Sequence, residues 1–258
     1  MGIEDLTEFE IVSGFLGLIA FAISLTVGII ITAKYFQSKR HELLTVGMMM
    51  LFVSSGWWAA LASFVLFILF DFYFPTTLYL GLSYGLTPVS HLLWIYAFGY
   101  LVYPKSKWKL FLIFAVISGL YEIYFWYFLI TDTAVIGTRP AQFIFEVSPL
   151  IQLYILYIIV VTLITISIFV RECLRAENPK TKWRGKFLLY STILLAANTV
   201  LSIILAIIIG PVEASQLTAT QLALLIIGNI LIYSSTILSY IGWIMPDRVL
   251  KWLIKETE

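Results

Sequence analysis

The chain has 258 residues, of which 61% are hydrophobic and 12% charged, and its formal net charge is +1. Soluble domains carry about 45–50% apolar and about 25% charged residues, so this composition excludes an ordinary water-soluble protein and makes the bilayer the solvent. Alternating segments of ~10 residues, the signature of a membrane β-barrel, are missing, and the predicted class is an all-α integral membrane bundle.

A hydrocarbon core of ~30 Å takes about 20 apolar residues per helix. Seven runs meet that length in chain order, at about 10–34, 43–70, 77–103, 109–130, 149–170, 187–210 and 218–245. The start, MGIEDLTEFE, is acidic where a secretory signal needs positive charge, so the first run is predicted as a helix of the mature protein. The first connection holds Lys34, Lys39 and Arg40, the third Lys105, Lys107 and Lys109, and the fifth, RECLRAENPKTKWRGK, most of the rest. With the segment after the seventh run they contain all but one of the 16 basic residues, the exception being Arg139. The positive-inside rule therefore predicts an outer N-terminus and a cytoplasmic C-terminus. This charge suits an anionic leaflet and is a product of topology, so no nucleic-acid partner is expected.

The outer connection 131–149 carries Gly137 and Pro140 as turn signals, with Phe143 and Phe145 available to fold over the mouth of the bundle. Cys173, the single cysteine, falls at the cytoplasmic end of the fifth run and reads as an interfacial thiol with no disulfide partner. Pro246 ends the seventh run, and 246–258 reads as a short amphipathic cytoplasmic tail. No linker or internal repeat divides the chain, which is predicted as one domain over 1–258.

Polar residues recur near the middle of the runs. Taking each midpoint as the bilayer centre, with ~1.5 Å rise per residue, His91, Glu122, Asn198 and Asn229 all fall within roughly 3 Å of the midplane. Glu122 stands alone in KLFLIFAVISGLYEIYFWYFLI, and a charge at that depth costs about 2.5–3.5 kcal/mol, so it is expected to face the bundle. His91 is the only histidine inside a run and is its expected partner. Pro88, three residues earlier, frees the carbonyl of Tyr84 and kinks the helix beside it. Asn229, Tyr233, Thr236 and Tyr240 form a polar stripe in the seventh run, and Ser191, Asn198 and Ser202 one in the sixth. Trp57 or Trp58 and the inward members of the aromatic run 121–128 are candidates for the wall of an outer pocket. The predicted ligand or proton site is thus Glu122, His91, Asn198, Asn229, Tyr84 and Tyr233.

Two histidines and one cysteine do not make an ordinary zinc site. The seventh run has no lysine for a retinal Schiff base, and there is no Gly-rich phosphate loop or nucleophile elbow. Ser90 or Ser118 beside a histidine lacks supporting spacing. No cofactor is expected, and a non-enzymatic role is favoured.

GLYEIYFWYFLITDTAVIG (119–137), RECLRAENPKTKWRGKFLL (171–189) and YIGWIMPDRVLKWL (240–253) together resemble an uncharacterised group of archaeal seven-transmembrane-helix proteins. The plan is more distantly similar to the seven-helix sensor modules of histidine kinases, which implies a sensory role without an attached kinase. The reading is a receptor-like multi-pass protein of the cell membrane that binds a small or lipidic ligand, or a membrane or cytoplasmic signalling partner. The alternatives are a proton-coupled transporter or channel using Glu122, and a non-catalytic membrane scaffold.

Overall fold

The computed structural model describes residues 6, 8–139, 145–209 and 219–255. Pro140, Phe143 and residues 256–258 lie outside the described residues. The elements are α1 (Glu8–Ser38), α2 (His41–Val53), α3 (Ser55–Phe70), α4 (Thr76–Tyr84), α5 (Thr87–Val102), α6 (Lys107–Thr131), α7 (Thr133–Ile136), β1 (Gly137–Thr138), β2 (Glu146–Val147), α8 (Pro149–Arg175), α9 (Pro179–Ile209), α10 (Ala219–Ile244) and α11 (Asp247–Lys255). The fold is all-α apart from the two-residue antiparallel pair β1–β2, in which Gly137 faces Val147 and Thr138 faces Glu146.

Six helical segments are long and apolar enough to cross a membrane, and the bent pair α2–α3 makes a seventh when read as one span. Hydrocarbon offers no partner to a peptide group, so only helices that satisfy their own backbones suit these runs. Unbroken apolar stripes face away from the bundle. On α6, Ile113, Val116, Leu120, Ile123 and Ile130 are 60–77% exposed, which suits a surface solvated by acyl chains.

Two of the runs differ from the sequence expectation because each is broken. Run 43–70 divides at Ser54, where α2 and α3 meet at 47°. Ser54 Oγ donates to the Leu51 carbonyl at 2.7 Å and accepts from Trp58 Nε1 at 3.0 Å, so the hydroxyl serves the interrupted backbone. Run 77–103 divides at Gly85–Leu86, and Pro88 falls in the first turn of α5, where a missing N–H costs nothing. Pro88 therefore starts a helix here and does not kink an interior. The two breaks are neighbours, since Ser55 Oγ reaches the Ser83 carbonyl at 3.4 Å.

Several ends also extend past the apolar runs. α9 begins at Pro179, with Asn178 Oδ1 accepting from Lys180 N at 2.8 Å as its cap, and α8 continues to Arg175. Charged residues end an apolar run without ending a helix. Three ends use non-glycine residues in the left-handed region: Lys39 (φ 56°), Asp71 (φ 53°) and Met245 (φ 48°).

Helices α5, α2, α1, α10, α9 and α8 pack in that order, and α8 returns to α5, closing a ring. α3 and α4 complete the α2 and α5 spans and pack on each other, while α6 lies outside the ring against α5 and α4. Inter-helix polar bonds hold this order. Trp94 Nε1 donates to Thr165 Oγ1 at 2.8 Å between α5 and α8, and Tyr233 Oη donates to the Leu16 carbonyl at 2.7 Å between α10 and α1. Ser191 bridges Ser239 (2.6 Å) and Ser235 (3.3 Å) between α9 and α10. Such bonds contribute about 0.6–2 kcal/mol each in a membrane bundle. α6 is attached by Tyr121 stacking on Tyr154 with centroids 3.7 Å apart, and by Tyr154 Oη donating to Ser118 Oγ at 3.1 Å.

α1 and α2 come closest at Gly47, where a Cβ would lie 2.6 Å from the Thr32 backbone nitrogen. Gly17, on the same α1, has nothing within 4 Å. Gly47→Val is therefore expected to destabilise by about 1–3 kcal/mol and to lower the unfolding midpoint in detergent. Gly17→Ala leaves that midpoint unchanged or raises it through helix propensity. Circular dichroism melts of the two variants check the pair.

Candidate functional site

The ring encloses a cavity of about 850 Å³. It starts at the hairpin end, where Phe145, Glu146 and Val147 line it, and ends toward the Lys/Arg-rich end on Leu188, Trp94 and Trp243. Along α9 its lining runs from Leu188 to Ser202, about 21 Å at ~1.5 Å per residue. The floor is rigid: Trp243 meets Trp94 edge-on at 6.5 Å and stacks on Phe169 at 6.0 Å. At the mouth, Phe145 stacks on Tyr79 at 3.6 Å, and the Arg139 guanidinium lies 5.2 Å from the Phe145 ring while donating to the Phe74 carbonyl at 3.0 Å.

Both helix breaks face this cavity. Gly56 and Trp57 beside one, and Ser83, Tyr84 and Thr87 beside the other, belong to its wall. Irregular backbone at membrane depth is tolerated where it is buried in protein or lines a cavity. Ser-Ser-Gly at 54–56 is the signal in the sequence, because Gly/Ser pairs are a recurrent cause of sharp kinks.

Twelve of the 34 lining residues are Ser or Thr, yet most of these hydroxyl protons are already committed. Ser90 donates to the Thr87 carbonyl (2.8 Å), Thr192 to Leu188 (2.9 Å), Thr236 to Ile232 (3.0 Å) and Ser202 to Asn198 (3.0 Å). What such groups offer inward is an acceptor lone pair and, for threonine, a methyl. No Lys, Arg or Asp lines the cavity among the described residues, and Glu146 at the mouth is its one carboxylate.

His91 differs from these neighbours. It is 2% exposed, lines the cavity, and neither Nδ1 nor Nε2 has a hydrogen-bond partner. Phe114 and Tyr157 rings pack edge-on against it, each with centroids 5.6 Å away, and fix the imidazole plane. The neutral ring thus holds one N–H donor and one nitrogen acceptor, both unpartnered and buried within the wall of a largely apolar chamber. Ser83, also in the wall, has a buried Oγ without a partner.

Of the six residues expected at the site, His91, Asn198 and Tyr84 line the cavity. The other three do not. Asn229 donates to the Leu225 carbonyl of its own helix at 2.9 Å, and Tyr233 is spent on Leu16. Glu122 is on α6, which contributes no residue to the wall. His91 is level with Phe114, eight residues before Glu122, or about 12 Å along α6. Glu122 and His91 are therefore not brought together.

The sixth-run stripe Ser191, Asn198 and Ser202 does line the cavity. On α10, Thr236 does too, but the sequence reading missed Ser235, Ser239 and Trp243 beside it. Trp57 is in the wall, whereas Trp58 is held by Ser54. Tyr121 and Phe125 of the aromatic run are buried in a separate apolar cluster around Leu80 and Leu129. Ser118 is occupied by Tyr154 and Ser90 by Thr87. Cys173 is buried, with its Cβ against Gly185 of α9.

No protein-family model matches the chain, no curated protein matches it, and no solved structure matches it.

The separation of Glu122 from His91 has a measurable consequence. Glu122→Gln and His91→Asn should change stability independently, the double variant equalling the sum of the singles within about 0.3–0.5 kcal/mol. Unfolding of the four proteins in one detergent closes the cycle.

Proposed function

We propose that the protein is a receptor-like, seven-span membrane protein that binds an uncharged, mostly apolar molecule bearing a small hydrogen-bonding head, such as a carbonyl or hydroxyl group. The observation that carries this reading is His91, buried in the wall of the cavity with both ring nitrogens unpartnered. A volume near 850 Å³ is within the ~300–1,000 Å³ typical of ligand sites. An anionic head group finds no cation among the described lining residues, whereas a carbonyl or hydroxyl finds the imidazole. The resemblance to seven-helix sensor modules favours signalling over transport, and the broken helices favour transport to a lesser degree. Glu122, outside the ring, is a weak candidate for a proton relay.

The orientation in this proposal has the N-terminus and the β1–β2 hairpin outside and the basic connections in the cytoplasm, from the asymmetry of Lys and Arg. The ligand then enters from the outer leaflet or outer medium.

Native mass spectrometry of the protein purified in mild detergent is expected to reveal a bound neutral lipid-like molecule. His91→Leu should lower its occupancy about tenfold, the value of one buried hydrogen bond of ~1–1.5 kcal/mol. Ala196→Phe, which fills the wall, should abolish it, and Glu122→Gln should leave it unchanged. If the wild type carries nothing and no neutral lipid raises its melting point, the reading fails; substrate-dependent flux in liposomes would favour the transporter instead.

Topology is checked separately. Because Cys173 is buried, the reporter is Lys105→Cys in a Cys173→Ser background, Lys105 being exposed. An impermeant maleimide should label it only after the membrane is opened.

A further inference from the structure

At the opposite end of the bundle from the hairpin, a recess of about 160 Å³ is lined by Lys34, Ser38, Arg40, Lys180, Arg184 and Trp243, together with two aliphatic side chains. Its four cations come from the end of α1, the α1–α2 link and the first turns of α9. No acidic residue lines it among the described residues.

Topology accounts for basic residues at this end but not for four of them lining one hollow. Lys105 and Lys109 show the ordinary arrangement, exposed and apart from it. The convergence is costly, since like charges around one small recess repel. Two acids offset it from the side: Glu42 pairs with Arg40 at 2.6 Å, and the highly exposed Asp247 pairs with Lys180 at 3.6 Å. Lys34 and Arg184 hydrogen-bond neutral groups, Gln37 Oε1 for the first and the Gly242 and Trp243 carbonyls for the second, with Glu42 also near Arg184. The six charged groups leave a net +2 around a space equal to about five waters at ~30 Å³ each.

We infer that this recess binds a phosphate-type anion, through Lys34, Arg40, Lys180 and Arg184. A tetrahedral oxyanion fits the volume, accepts from lysine and arginine at once, and offsets the repulsion among these cations. The recess is at helix ends, the level of lipid head groups, so the phosphate is either that of an anionic lipid or a free inorganic ion. The inference does not rest on what the cavity above it holds, although Trp243 lines both.

The test uses the full chain in a neutral detergent at constant ionic strength, with the shift in melting point read against three probes: phosphatidylglycerol, phosphatidylcholine and inorganic phosphate. Phosphatidylglycerol or phosphate, but not phosphatidylcholine, should stabilise. A response to phosphatidylglycerol alone assigns the site to a lipid head group, and a response to both assigns it to the free ion as well. The double variant Lys34→Gln/Lys180→Gln, which leaves the Arg184 bonds to α10 intact, should weaken the effective probe about tenfold. Lys105→Gln/Lys109→Gln makes the same charge change elsewhere and should not. Equal weakening by the two pairs would mean diffuse attraction and overturn the site, as would a wild type that responds to neither anionic probe.

Discussion

A peptide group cut loose from its helix has no partner in hydrocarbon, and the structure is arranged around two places where this happens. The α2–α3 break at Ser54 and the α4–α5 break at Gly85–Leu86 lie in adjacent spans and touch through Ser55 and the Ser83 carbonyl. Facing lipid, each would cost several kcal/mol per unsatisfied group. Both are turned inward, and the wall they form is the side of the cavity opposite α9 and α10. The breaks and the chamber adjoin, since Gly56 and Trp57 beside one break and Ser83, Tyr84 and Thr87 beside the other line its wall.

That arrangement explains why a midplane estimate misleads about Glu122. Depth along a helix says how far a residue is from water but not which neighbours it has. Outside the ring, α6 has one side on α4, α5 and α8 and the other exposed. Glu122 lies at the seam between them, half-buried, with Ser118 and Phe125 buried on one side and Ile123 71% exposed on the other. Its neighbours there are Trp126, on its own helix, Tyr121 and Tyr154. A polar group at a seam can lie among aromatic side chains without belonging to a central layer.

The length and apolarity of the runs made the helical bundle legible from sequence, since both are set by the bilayer and not by partners. Helix ends were less so. Lys180, Lys182 and Arg184 look like loop residues beside an apolar run, yet they continue α9, because a helix leaving hydrocarbon meets no reason to stop. Of the site, the residues legible in advance were those costly to bury and set at helical spacing: His91, and Ser191, Asn198 and Ser202. Ser235 and Ser239 were hidden because an isolated serine in an apolar run carries little cost and much precedent. Which stripes face each other depends on the packing order of helices, and a periodicity of 3.6 residues holds no information about that order.

The two candidate sites share a wall. Trp243 closes the cavity floor against Trp94 and also lines the basic recess, and its carbonyl, with that of Gly242, accepts from Arg184. The indole is held between Trp94 and Phe169, and the Trp94 indole is in turn held by Thr165. In a close-packed interior such a residue has few alternative positions, so a displacement of the ring alters both volumes together and a shift of Arg184 moves the backbone that carries the ring. Trp243 is therefore common to the cavity floor and to the recess.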